Sequence, residues 1–209
     1  GVLIDVDMEG CKAAFKIDLG YEKIDDVLDP CHQKGIVGDM EEGLISADEF
    51  RKAVLEDSRP DACPKDVDDA FMHILAGIPA YKGALLNRLA ESYDLYILSN
   101  NNPIVASHMP ELFATVGVDY EKIFKQSFLS YQMKALKPSE AFYKRILEKI
   151  GRPSEDLLFI DDSQKNVDGA IAAGLPSVYY NPDTDLAALL ADVLGDQSLV
   201  EFGTENMEG

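Results

Sequence analysis

The apolar positions of the chain change rhythm at Pro79. Before it the period is helical from Cys11 to about Glu56, with Cys11, Ala14, Phe15 and Leu19 sharing one face. Gly10, Gly20, Gly35, Gly38 and Gly43 cut this region into short helices, and Pro60 and Pro64 break it again. Ser46-Ala47-Asp48-Glu49 reads as a capping box that opens a helix carrying Phe50, Val54 and Leu55. Val67, Phe71, Ile74 and Leu75 continue the helical spacing. Strand signals are few between Asp7 and Pro79, so a small helical unit is expected there.

After Pro79, short apolar runs alternate with helical patterns. Leu85, Leu86 and Leu89 mark a helix face, and Leu95-Tyr96-Ile97-Leu98 a strand ending at Ser99-Asn100. Ile123-Phe124 and Phe128-Leu129-Ser130 give a second strand region. Ser139 to Ile150 is a helix ended by Gly151, and Leu157 to Ile160 a strand followed by a helix over 163–173. Ser177 to Tyr180 is the last strand and Leu186 to Leu194 the last helix; the polar tail from Gly195 is expected to fray. Alternation of this kind predicts βαβ units and a parallel sheet, an α/β fold. Before Asp7, Val2-Leu3-Ile4 also reads as a short strand.

The strand Leu157 to Ile160 runs straight into Asp161-Asp162. Two carboxylates at the carboxyl end of a buried strand are costly unless something binds them. In an open α/β sheet that edge is where ligands sit, and oxygen ligands of this kind suit Mg²⁺. A helix N-cap would need only one of the two carboxylates, which favours a metal site. Two other loops that follow strands offer Ser99-Asn100 and Lys137-Pro138. A hydroxyl and an amide hold a phosphoryl oxygen, a lysine neutralises its charge, and paired carboxylates hold a bridging cation. In that order the three loops make a phosphoryl-transfer site.

Composition narrows the partners. The chain of 209 residues has 38 acidic and 19 basic side chains, a formal charge of −19. Such a surface repels nucleic acid and anionic membranes, so neither is an expected partner. An anionic substrate must then be drawn in by local cations or a metal. The three cysteines, Cys11, Cys31 and Cys63, fit no zinc spacing and suit a reducing cytoplasm. No apolar run approaches the roughly 20 residues of a membrane span.

The runs "LYILSNNNP", "KALKPSEAFYKRILEKIG" and "LLFIDDSQKNVDGAIAAGLP" resemble the second, third and fourth motifs of the haloacid dehalogenase superfamily of hydrolases, in order. "GLISADEFRKAV" resembles the small helical cap of its sugar-phosphatase-like branch. The resemblance implies a three-layer Rossmann-like core with a parallel sheet and a cap inserted after the first strand. Residues 1–8 and 79–209 would form the core and 9–78 the cap. It further implies Mg²⁺, a small phosphorylated metabolite as substrate, and an aspartyl-phosphate route. In that scheme Ser99 and Asn100 orient phosphate, Lys137 bridges nucleophile and phosphate, and Asp162 ligates Mg²⁺. Asp161 is a second ligand or acts through water.

The first motif departs from the family pattern. Members of the branch start with a sequence resembling "FDLGGVLIDLD", whereas this chain starts "GVLIDVD". In that register the nucleophilic Asp lies three residues upstream of Gly1, along with the central strand, and the sheet would carry two unpaired edges. In a rival register Asp5 is the nucleophile and Asp7 the acid/base, although Met8-Glu9 do not supply the tight turn expected next. Under the first register Asp5 and Asp7 cap the start of the helical unit.

Other residues carry weaker signals. His32, His73 and His108 read as surface or cap residues, Cys11 and Cys31 as cap core, and Tyr143 as packing. Asn166 either steadies Asp162 or a metal-bound water, or is a surface amide. Asn101 and Asn102 shape the entrance. The functions in competition are a Mg²⁺-dependent phosphatase, a 2-haloacid dehalogenase, a phosphomutase and a non-catalytic binding protein on the same fold. Paired Asp161-Asp162, where the dehalogenases resemble Ser-Asn, favours the phosphatase.

Overall fold

The computed structural model describes residues 1–29 and 34–203, so Cys31 and His32 lie outside the described residues. Among the described residues six strands form three pairs. Strand β1 (Asp5–Val6) pairs antiparallel with β2 (Leu75–Gly77). Strand β3 (Leu95–Ser99) pairs in parallel with β4 (Phe124–Leu129), and β5 (Phe159–Asp161) in parallel with β6 (Ser177–Tyr179).

Both βαβ pairs follow the alternation read after Pro79. The helix Glu140–Ile150 starts at Ser139 and ends on left-handed Gly151, and the last helix spans Leu186–Leu194. Two readings near the start are corrected. The strand expected at Val2 to Ile4 falls at Asp5–Val6, and it joins the antiparallel pair instead of the parallel sheet. Leu75, read as helical, lies in β2, because the helix Pro64–Met72 stops before it. The reversed chain direction at the end of the helical unit gives β1 a partner that hydrophobic spacing does not announce. The described part of the tail, to residue 203, departs from expectation: a 3₁₀ turn at Gln197–Phe202 buries Leu199 completely beside the last helix, and the rest of the tail lies outside the described residues.

The helices between Asp7 and Met72 pack around aromatic contacts. Phe71 meets Phe15 and Phe50 edge-on, with ring centroids 5.8 and 5.6 Å apart. This geometry suits the ring quadrupoles. The helix Met8–Leu19 is capped by Asp7, whose Oδ1 accepts from Gly10 N at 2.7 Å. The helix Ala47–Glu56 carries both bonds of the Ser46/Glu49 capping box. Cys11 is fully buried, and burial pushes its thiol up to about 12, which makes it a packing residue and not a nucleophile.

The parallel strands do not form one continuous sheet. β3 and β5 each pair on one side only, and a cavity of about 1060 Å³ lies between them. Every residue of β3 and the run 157–162 line it, with Leu86 and Leu190 contributed by helices. Leu95, Tyr96 and Leu98 of β3 are consequently only half-buried, although a strand inside a covered parallel sheet is normally buried on both faces. The cavity is lined by two strand edges and apolar side chains.

Candidate active site

The carboxyl ends of β3 and β5 meet through Lys137. Its Nζ donates to Asp161 Oδ2 at 2.6 Å and to Leu98 O at 3.2 Å. Both side chains are buried, 9% and 4% exposed. The Lys137 ammonium also lies 5.5 Å from the Phe159 ring centroid, within cation–π range.

Each partner is held from behind. Asp161 Oδ1 accepts from Ser163 N at 2.9 Å and from Asn166 Nδ2 at 2.8 Å. With Lys137 this gives the carboxylate three donors, which offsets its burial. Asn166 is itself placed by the helix Gln164–Ala172, and its carbonyl accepts from the Tyr143 hydroxyl at 2.8 Å. Of the two roles open to Asn166, the structure therefore gives it a positioning one, directed at Asp161 and not at Asp162.

Asn100 fixes the backbone of Lys137. Its Oδ1 accepts from Lys137 N at 2.8 Å and its Nδ2 donates to Lys137 O at 3.1 Å. That reciprocal pair fastens the loop after β4 to the loop after β3. The Ser99 hydroxyl, half-buried, donates to Asn100 O at 3.2 Å. On the other side Gly169 lets the helix Gln164–Ala172 approach, since a Cβ there would overlap the Pro138 carbonyl.

Asp162 differs from its neighbour. Its side chain is 37% exposed, and its Oδ2 lies 3.3 Å from the backbone nitrogen of Gly1. Ser99, Asn100, Lys137, Asp161 and Asp162 all line the cavity between β3 and β5. The three loops singled out from the sequence thus converge at one mouth.

Asp5 and Asp7 do not join them. Asp5 sits on β1, 3.7 Å from Lys82 Nζ, and Asp7 caps the helix that follows. Neither lines the cavity. Asp7 accordingly has the capping role of the first register, while Asp5 serves as a counter-ion. His73 is exposed, and His108 bonds within its own turn to the Ile104 carbonyl.

Three residues escaped sequence reasoning. Lys82 is 2% exposed and packs between Tyr81 and Tyr180; desolvation lowers its pKa against the pull of Asp5. Ser130 is fully buried, donates to Glu41 O at 2.6 Å, and accepts from Asn101 N at 3.0 Å. Glu41 is 8% exposed and lines the cavity. No motif marks any of them, since each acquires its partners from a distant part of the chain.

Among the described residues no three His, Cys, Asp or Glu side chains stand close enough to hold a metal ion. The carboxylates present still suit Mg²⁺, which commonly takes one or two carboxylates and completes its shell with water and substrate phosphate. Asp162, open to the cavity, and Asp161 behind it are the donors that would hold such an ion. No helix among the described residues is long and apolar enough to cross a membrane.

Comparison with known proteins bears on the family of the chain. The chain is 32% identical to a D-ribitol-5-phosphate phosphatase of Bacteroides thetaiotaomicron over 80% of its own length and 81% of the relative's. A solved enzyme from the same organism, in complex with magnesium and inorganic phosphate, superposes with a TM-score of 0.82 at 33% identity, covering 90% of this chain and 94% of the other. A hydrolase structure from Porphyromonas gingivalis matches with a TM-score of 0.83 at 30% identity, over 94% and 95% of the two chains. Residues 46–174 match the family of haloacid dehalogenase-like hydrolases. With that match, these relatives and the three converging loops, the chain belongs to the haloacid dehalogenase-like hydrolases.

Proposed function

We propose that this chain is a Mg²⁺-dependent phosphatase of a small phosphorylated polyol or sugar. The observation that carries the reading is the buried Lys137–Asp161 pair at the mouth between β3 and β5, with Asp162 open beside it. The phosphoryl group lies against Lys137, whose charge meets the negative charge that develops on the equatorial oxygens. The Ser99 hydroxyl and the Asn100 amide orient that group. Asp162 and Asp161 are the residues that would hold Mg²⁺, which would supply neutralisation of the phosphoryl charge. The relative that acts on D-ribitol 5-phosphate and the solved relative bound to magnesium and phosphate support this reading.

The nucleophilic carboxylate belongs on a strand in the cavity between β3 and β5. Such a strand pairs with both open edges and runs parallel to them. Attack of that carboxylate on phosphorus releases the alcohol, and water then hydrolyses the aspartyl-phosphate. Residues 1–8 and 79–209 serve as the core, and 9–78 as the cap that closes over the mouth. We place the protein in a reducing cytoplasm, a reading that the free Cys11 and Cys63 support.

The test is release of inorganic phosphate from D-ribitol 5-phosphate by protein that carries the residues before Gly1, with and without Mg²⁺. Turnover should require Mg²⁺, Asp162→Ala should lose that dependence and most of the rate, and the chain starting at Gly1 should be inactive. Normal turnover by Asp162→Ala would sink the site assignment.

A further inference from the structure

Three segments of the chain meet at one buried hydroxyl, that of Ser130. This residue begins the short helix Ser130–Met133 directly after β4 and is fully buried. Its hydroxyl donates to Glu41 O at 2.6 Å, accepts from Asn101 N at 3.0 Å, and lies 3.1 Å from Asn101 O. Glu41 belongs to the helical unit and Asn101 to the loop after β3, while Ser130 opens the segment that runs on to Lys137. A hydroxyl carries one donor and two acceptor lone pairs, so this single group can bond to both neighbours at once. Alanine would fill the same space without joining them.

The helical unit rests on the same segment at a second point. Lys134 follows the helix Ser130–Met133 in the left-handed region, at φ 52°, which is uncommon for a residue with a side chain. Its ammonium donates to Gly43 O. Both acceptors on the helical unit, Glu41 O and Gly43 O, are backbone carbonyls, so what the segment holds is the course of the turn 41–43. At its far end the segment is tied to the loop after β3, where Asn100 bonds both Lys137 N and Lys137 O. The loops after β3 and β4 are therefore joined twice, Asn101 to Ser130 and Asn100 to Lys137. The helical unit bears on the first of these joints.

We infer that Ser130 is a positioning residue for phosphate, which passes the seating of the turn 41–43 on to Asn100 and Lys137. This rests on the phosphatase reading above and adds to it that the phosphate-binding loops take their working geometry when that turn is seated. With the turn lifted, the Ser130 hydroxyl rotates to its remaining acceptor, Asn101 O, and its hold on Asn101 N changes. Asn100 is the next residue along the chain, so the amide that grips Lys137 shifts with it. Coupling of this kind is reciprocal: phosphate at the loops in turn favours the seated turn.

The experiment is a double-mutant cycle on the full-length protein, with Gly43→Ala in the turn, Ser130→Ala at the junction, and the two combined. A Cβ at Gly43 would overlap the Tyr131 carbonyl, so Gly43→Ala lifts the turn. Two quantities are read well below each protein's melting temperature: Kd for inorganic phosphate with Mg²⁺ present, and hydrogen exchange of the Asn101 amide. Gly43→Ala should weaken phosphate about fivefold or more and speed exchange at Asn101. Ser130→Ala should do both as well, and the double variant should be no worse than Ser130→Ala alone, because the route is already cut. Lys134→Met removes only the exposed bond to Gly43 O. It should shift both readouts the same way by less, and it serves in place of Gly43→Ala if that variant does not fold. Unchanged exchange at Asn101 when the turn is perturbed overturns the assignment, as do phosphate effects that add in the double variant. If exchange follows the cycle while none of the proteins binds phosphate, the coupling through Ser130 stands and the phosphatase reading falls.

Discussion

Lys137 Nζ stands 2.6 Å from Asp161 Oδ2, and this buried contact joins the loop after β4 to the end of β5. It links two strand pairs that share no backbone hydrogen bonds. The pair is thus both the centre of charge at the mouth and a brace across the cavity.

Removing one partner leaves the other charged and buried. Lys137→Ala should lower stability by about 3–5 kcal/mol and reduce phosphate release by several orders of magnitude. Lys137→Arg should not restore activity, since a planar guanidinium cannot replace a compact ammonium between Asp161 and the Leu98 carbonyl. Urea unfolding and a phosphate-release assay check both statements.

Asn166 supports Asp161 through one of its three donors. Asn166→Ala should cost about 1–3 kcal/mol, because the acceptor is buried. It should also weaken Mg²⁺ binding or activity roughly 10–100-fold without abolishing either. A Mg²⁺ titration of activity in the variant reads the second effect directly.

Ser130 fastens the helical unit to the loop after β3 through Glu41 O and Asn101 N. Gly43 helps the same contact, since at φ +71° a Cβ there would overlap the Tyr131 carbonyl. Ser130→Ala should destabilise by about 1–3 kcal/mol and raise KM more than it lowers kcat. Steady-state kinetics beside thermal melting would show whether the two effects travel together.

Glu41 makes stability depend on pH. Its folded-state pKa, about 7, lies above the ordinary value of 4.5. Between those values the folded protein holds a proton that the unfolded chain has released. Its contribution to stability is therefore fully present below pH 4.5 and lost as pH rises through about 7. The loss amounts to roughly 3 kcal/mol at most. Denaturant midpoints across that window should fall less steeply in Glu41→Gln than in wild type.

Much of this was legible from residue order. The capping box at Ser46 and the helices closing at Gly151 and Leu194 depend on local periodicity and local caps, and they fall where those signals put them, while the strand expected at Leu157 to Ile160 is shifted to Phe159–Asp161 and takes in the first carboxylate. Ser99-Asn100, Lys137 and Asp161-Asp162 could be grouped because each follows a strand of one parallel fold, and parallel strands bring their carboxyl ends to one side.

What the tertiary structure alone decided depends on contacts between distant residues. The family resemblance gave Asp162 as the Mg²⁺ ligand and left the part of Asp161 open, but only the fold buries Asp161 against Lys137 and leaves Asp162 open to the cavity. It likewise turned Asn100 and Asn166 toward Lys137 and Asp161, paired β1 with β2, and buried Glu41 at the mouth. Periodicity and capping act within a few residues of chain. Charge pairing and hydrogen bonding at this site join residues 24 and 89 positions apart, and no local pattern encodes them.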